Sequence, residues 1–197
     1  CTFLNPDKTS KDYSEEPSIK LYCVPKVQLD KNVKDIGQFD GITLNSVLMR
    51  PKSRGEIKLK SSDPNDMPLL NPNYLSHDDD KRLQISAFKY SREILNNKPL
   101  NEIIINEIFP GKNIKTDEDI LNHCKKSIKT NWHPVGTCKM GTEGDIYAVC
   151  DIKLRVKGVR GLRIFDASSF PNLVAGNTNA PVIAFALKAV TELINEY

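Results

Sequence analysis

Two early stretches alternate apolar and polar side chains at the period of half-buried strands: Ile42 to Met49 and Glu56 to Lys60. "KSRG" between them predicts a turn, and "DPND" ends the second strand. Further upstream, Cys1 to Gln38 is dotted with proline and charge. Short apolar groups there, such as "IKLYCV", predict loops with one or two strands. The period then changes. Ser76 precedes "HDDDKRLQISAFKYSREILNN", with acids where a helix dipole favours them, and Ser76 is the expected N-cap. Leu83, Ala87, Phe88, Ile94 and Leu95 fall roughly on one face, and Asn96, Asn97 and Pro99 stop the helix. Thr116 caps a second helix, "DEDILNHCKKSIKT", whose buried stripe is Ile120, Leu121, Cys124 and Ile128.

From Trp132 onward glycine, proline and asparagine become dense. "DIKLRVKGVRGLRIFDAS" predicts two short strands around a glycine-bounded turn, and "SFPNLVAGNTN" a loop. Asn179 and Pro181 open a C-terminal helix through about Asn195, proline being tolerated where no backbone N–H is needed. Val182 to Val190 is apolar on most sides, so this helix is expected to be covered by other structure.

Composition adds exclusions. Apolar residues at 39% and charged residues at 27% are the balance of a soluble globular chain. The net charge of +3 is interleaved along the chain, which argues against a nucleic-acid stripe. No apolar run reaches the roughly 20 residues that span a bilayer. The start, "CTFLNPDKTSKDYSEEP", is polar and has no signal-peptide core, and a processed product or fragment is expected. Cysteines stand at 1, 23, 124, 138 and 150, without C-x-x-C spacing. They leave pairing and compartment open.

Candidate chemistry centres on two stretches. "NWHPVGTCKMG" holds the single tryptophan, Trp132, and His133, a residue able to take and return a proton near neutral pH. Pro134 restricts His133 towards extended conformations, and Gly136 permits a tight turn. "GNTNAP", from Gly176 to Pro181, places Asn177 and Asn179 before a helix start, as plain caps or as part of a site where free N–H groups face a partly negative ligand. His123, Cys124, His133 and Cys138 match no common zinc spacing. No metal site is expected. The hydrolase signatures G-x-S-x-G and H-E-x-x-H are missing, and so is the dinucleotide fingerprint G-x-G-x-x-G.

"NWHPVGTCKMG", "LRVKGVRGLRIFDASSFP" and "GNTNAPVIAFALKAV", in this order and spacing, resemble the C-terminal part of a glucose-methanol-choline (GMC) oxidoreductase, in detail its insect glucose-dehydrogenase-like branch. "RPKSRGEIKLKSSDPNDMPLLNPNYLSHDDDKRL" is similar to that family's substrate domain. The resemblance implies an α+β fold: an antiparallel-sheet substrate domain with flanking helices over residues 1–130, less clearly matched before 38. The C-terminal strands and helix of a Rossmann-like FAD domain would occupy 131–197. It implies a fragment that lacks most of the FAD-binding half and is inactive alone.

What the resemblance implies for function is an FAD-dependent dehydrogenase or oxidase acting on the CH–OH group of a small-molecule alcohol. Quinone or oxygen would accept the electrons. His133 would be the base, with hydride passing to flavin N5, and Asn177 would bind the alcohol oxygen. Asp166, Ala167, Thr178 and Trp132 would lie against the cofactor. Three positions depart from the family's usual pattern: Cys150 and Ile152 in "VCDI" at 149–152, where relatives have "VVDP", and Leu187, where an acid is common. The alternative is a truncated or diverged relative without catalysis, and a lyase on the same fold fits the motifs less well.

Overall fold

The computed structural model describes residues 1–6, 16–27 and 40–196. Parts of the stretch from Cys1 to Gln38, at 7–15 and 28–39, lie outside the described residues. Helices combine with antiparallel sheets, and the chain divides into two compact units, 1–54 with 73–129 and 55–72 with 130–197.

In the first unit, β1 (Thr2–Leu4), β2 (Ile19–Val24) and β3 (Thr43–Leu48) form an antiparallel sheet in that order. The register places Ile19 opposite Leu48 and Leu21 opposite Ser46. Ile19 and Leu21, two residues apart, share one face, as strand periodicity requires, and both are buried. The second unit contains a separate antiparallel pair, β4 (Glu56–Lys58) with β5 (Leu69–Asn71). The strands on either side of "KSRG" therefore belong to different sheets, and the stretch makes no hairpin. Its first residues are held instead by Asp80, which is 1% exposed. The Asp80 carboxylate accepts from the Lys52 N–H at 2.9 Å, the Ser53 N–H at 2.7 Å and the Ser53 hydroxyl at 2.5 Å. A buried carboxylate is tolerable only when its lone pairs are filled in this way.

Helix α1 (Asp78–Asn96) is capped by His77, not Ser76. The His77 ring Nδ1 accepts from the Asp79 N–H at 3.2 Å, while the His77 N–H donates to Ser53 Oγ at 3.1 Å. Serine is the better cap type, but His77 is the residue already bound to Ser53. The apolar positions of α1 serve two sides. Leu83, Ala87, Tyr90 and Ile94 pack with Ile19 and Leu21. Ile85 and Phe88 pack with Leu75, Ile120 and Cys124.

Helix α2 (Asp117–Ser127) starts in a reciprocal capping box. Thr116 Oγ1 accepts from the Asp119 N–H at 3.1 Å, and the Asp119 carboxylate accepts from the Thr116 N–H at 3.0 Å. These bonds hold the Asp119 carboxyl below its ordinary pKa. Ile120 and Cys124 are buried, with Leu121 and Ile128 packed around them. Burial pushes the Cys124 thiol up to about 11. Arg92 joins α1 to the segment before α2: it pairs with Glu107 at 2.7 Å and donates to the carbonyls of Gly111 and Ile114.

In the second unit, the two strands expected between 151 and 168 reduce to isolated bridges, Cys150 with Val156 and Arg155 with Arg163. Left-handed backbone at Leu154, Gly158 and Gly161 breaks any longer ladder. Helix α3 (Asn179–Ile194) lies where expected, and one of its apolar faces is left uncovered among the described residues. Ile183, Leu187, Val190 and Ile194 form an exposed stripe on one face, the first, second and fourth each more than 60% accessible. Among the described residues no helix is long and apolar enough to cross a membrane.

Candidate active site

Three segments of the second unit converge. The backbone of 136–140 runs beside 167–169: the N–H groups of Gly136, Cys138 and Met140 donate to the carbonyls of Ala167, Ser168 and Ser169 at 3.2, 2.8 and 2.8 Å. Gly136 has φ +86°, and a Cβ there would meet the Phe170 carbonyl oxygen at 3.3 Å, so the close approach favours glycine. Phe170, buried, meets Phe185 of α3 edge-on at 5.0 Å between ring centres. The third link joins the other two ends: His133 Nδ1 lies 3.0 Å from Thr178 Oγ1.

Each expected site residue has a definite place. His133 is partly buried. Trp132 beside it is 76% exposed and sits at φ 58°, a left-handed conformation rare for a bulky side chain. Its N–H donates to Thr130 Oγ1 at 3.0 Å. Asp166 caps a short 3-10 turn, Ala167–Ser169. The Asp166 carboxylate accepts from the Ser168 N–H at 2.8 Å, so Asp166 and Ala167 form a rigid corner against the segment that carries His133. Asn177 and Asn179 flank Thr178, and both are exposed.

The start of α3 is chemically distinctive. Thr178 stands in the N-cap position, where a threonine hydroxyl ordinarily accepts from a backbone N–H of the first turn. Here it makes no such bond and instead meets His133. Pro181 has no N–H to offer, and the first intrahelical bond from this turn runs from the Val182 N–H to the Thr178 carbonyl at 2.9 Å. Partial positive charge therefore gathers beside a titratable ring. Sequence reasoning placed Thr178 in the site for other contacts and missed its link to His133. The only available hint was a threonine before a helix start that already had asparagines to cap it.

The other histidines have different surroundings. His123, on α2, stacks edge-on against Phe88 and Phe109, and burial lowers its pKa, with Arg92 adding to the effect. Among the described residues no three His, Cys, Asp or Glu side chains are grouped to hold a metal.

A family model described as GMC oxidoreductase matches residues 51–186. The chain is 39% identical over 182 residues to an alcohol dehydrogenase (acceptor) of Pseudomonas putida, covering 92% of this chain and 32% of that protein. It is 37% identical to an oxygen-dependent choline dehydrogenase of Brucella anthropi, covering 94% of this chain and 34% of that protein. A crystal structure of pyridoxine 4-oxidase from Mesorbium loti superposes with a TM-score of 0.88 at 27% identity, over 99% of this chain and 37% of that one. An FAD-dependent oxidoreductase from Chaetomium thermophilum gives 0.73 at 28% identity, over 81% and 27%. The chain thus spans about one third of the length of the curated relatives it matches.

Proposed function

The chain belongs to the GMC oxidoreductase family, whose cofactor is FAD, and on that footing we propose that the complete protein oxidises the CH–OH group of a small-molecule alcohol to a carbonyl, with His133 as base. Residues 131–197 are assigned to the cofactor side and 1–130 to the substrate side. The observation that carries the reading is the His133–Thr178 hydrogen bond. It brings together the two sequence segments that this chemistry needs and leaves Nε2 as the ring nitrogen able to face a substrate.

The residues present suit one edge of a flavin. A helix start with little side-chain capping stabilises negative charge, and the exposed Trp132 offers an aromatic face. Asp166 and Ala167 supply a rigid backbone corner beside them. FAD, when bound, supplies the acceptor for a hydride at its N5. The chain's own residues handle the other half of the reaction. As the alcohol's C–H and O–H bonds break and C=O forms, His133 Nε2 takes the hydroxyl proton. Asn177 donates its side-chain amide N–H to the alcohol oxygen and holds it in reach. One base and one donor converging on a single oxygen is what this proton transfer requires.

The test is anaerobic mixing of the FAD-loaded complete protein with primary alcohols of differing class: choline, aryl alcohols and sugars. Loss of the oxidised-flavin absorbance with one class supports the reading and names the substrate. A protein that binds FAD and is reduced by none of them is the non-catalytic relative instead. Reoxidation by oxygen or by a quinone then separates oxidase from dehydrogenase. Asn177→Ala is compared with Asn179→Ala: the larger loss of flavin-reduction rate should fall on Asn177, and a loss confined to Asn179 would move the donor role two residues along.

A further inference from the structure

Resting on that reading, we infer that Thr178 is a positioning residue for His133: its hydroxyl accepts from the ring's Nδ1–H and so keeps Nε2 unprotonated and free to act as base. A neutral imidazole carries one N–H, and which nitrogen holds it decides whether the ring's other face accepts or donates. A threonine hydroxyl can play either part, so the 3.0 Å contact alone does not set the direction. The geometry of Thr178 and the role of His133 as base do.

The first is what Thr178 forgoes. At an N-cap its oxygen would be expected to accept from the N–H groups of the first turn, and it accepts none of them. Its backbone, at φ −80° and ψ −16°, lies in the helical region, outside the extended geometry that aims a capping hydroxyl down the helix. The acceptor lone pairs are therefore available to the ring. The second is the role of His133 as base, which requires a bare Nε2 lone pair and hence the ring proton on Nδ1. A Thr178 O–H donated into Nδ1 would place the proton on Nε2, and His133 would then present an N–H to the substrate hydroxyl where a base is needed.

The arrangement also explains why His133 is held from two directions. Pro134 limits its backbone, and Gly136 anchors the following residues against Ala167. Neither fixes rotation of the ring about its own axis. The Thr178 contact does, and it comes from a segment 45 residues away.

Two variants test this in the FAD-loaded complete protein labelled with nitrogen-15 histidine. Thr178→Val keeps the shape and removes the hydroxyl, and Thr178→Ser restores it. The His133 ring signals are identified by their loss in His133→Asn. The expected result is an Nδ1–H tautomer in the unmodified protein and in Thr178→Ser, with a shift towards Nε2–H in Thr178→Val. The same Val variant should lower kcat by about five- to tenfold, the size of one neutral hydrogen bond, with KM changed less than about twofold and FAD retained. An Nε2–H tautomer in the unmodified protein overturns the inference, as does a Val variant with unchanged tautomer and kcat. The ring signals are read without turnover. An unmodified protein that shows the expected tautomer but oxidises no alcohol defeats the proposed function while upholding the Thr178 contact.

Discussion

Replacing Gly136 by alanine isolates the contact that holds the His133 segment in place. Gly136 has φ +86°, and its new Cβ would meet the Phe170 carbonyl oxygen at 3.3 Å. An L-residue in the left-handed region costs about 1–2 kcal/mol. Phe170 is buried against Phe185, so the crowded carbonyl has little room to retreat, which adds about 1 kcal/mol. The smaller unfolded-state entropy of alanine returns roughly 0.5 kcal/mol. The net destabilisation expected is therefore about 2 kcal/mol. Two other glycines serve as controls. Gly158, at φ +78°, has nothing within 4 Å of its Cβ position, so Gly158→Ala carries only the backbone term and should cost about 1 kcal/mol. Gly144 has open space and no left-handed backbone, so Gly144→Ala should be neutral or stabilising by about 0.5 kcal/mol. Urea unfolding with a common slope reads all three. Gly136→Ala no more destabilising than Gly158→Ala would refute the idea that the 136–140 segment is packed tightly against 167–170.

The remaining expectations concern particular groups. The Cys124 thiol has a folded pKa of about 11 against an ordinary value of 9.0, because burial disfavours the thiolate. Its contribution to stability is intact below pH 9.0 and is lost as the pH climbs to about 11, where only the unfolded chain ionises early. Over that window the protein should lose about 2 kcal/mol more than Cys124→Val does, measured by urea unfolding; parallel curves would contradict the burial. Trp132→Gly relieves a left-handed tryptophan and should raise stability by about 0.5 kcal/mol while slowing flavin reduction in the complete protein. A variant that loses stability would show that the ring is packed. Asp80→Ala leaves two N–H groups of Lys52 and Ser53 without their buried acceptor. It should cost about 3 kcal/mol in thermal or urea unfolding, and a cost below about 1 kcal/mol would place that carboxylate in water.

Local chemistry was well written in the sequence. Thr116 and Asp119 stand three residues apart ahead of an apolar stripe, and the capping box and buried face of α2 follow from those residues alone. The strand residues from Thr43 to Leu48 also follow from alternation. What it missed needed partners distant in sequence. "KSRG" was legible only as a turn between two strands, whereas Asp80 claims Lys52 and Ser53 from 27–28 residues away. His77 displaced Ser76 as cap through the same neighbour, Ser53. The apolar residues of α3 were legible as apolar, but composition does not say which face has a neighbour, and Leu187 is left 68% exposed. In the candidate site, the motifs marked His133 and Thr178 separately. Only the fold places one on the other, because a hydrogen bond across 45 residues leaves no periodic trace.

The central claim is that His133 takes the proton of an alcohol while the bound FAD is reduced. It is tested most directly by single-turnover flavin reduction in the FAD-loaded complete protein carrying His133→Asn, mixed anaerobically with the best alcohol found. The account predicts a rate of flavin reduction lower by about 10²–10⁴, the range for losing a general base, with FAD still bound in full. A variant that binds FAD and is reduced at the unmodified rate would contradict it.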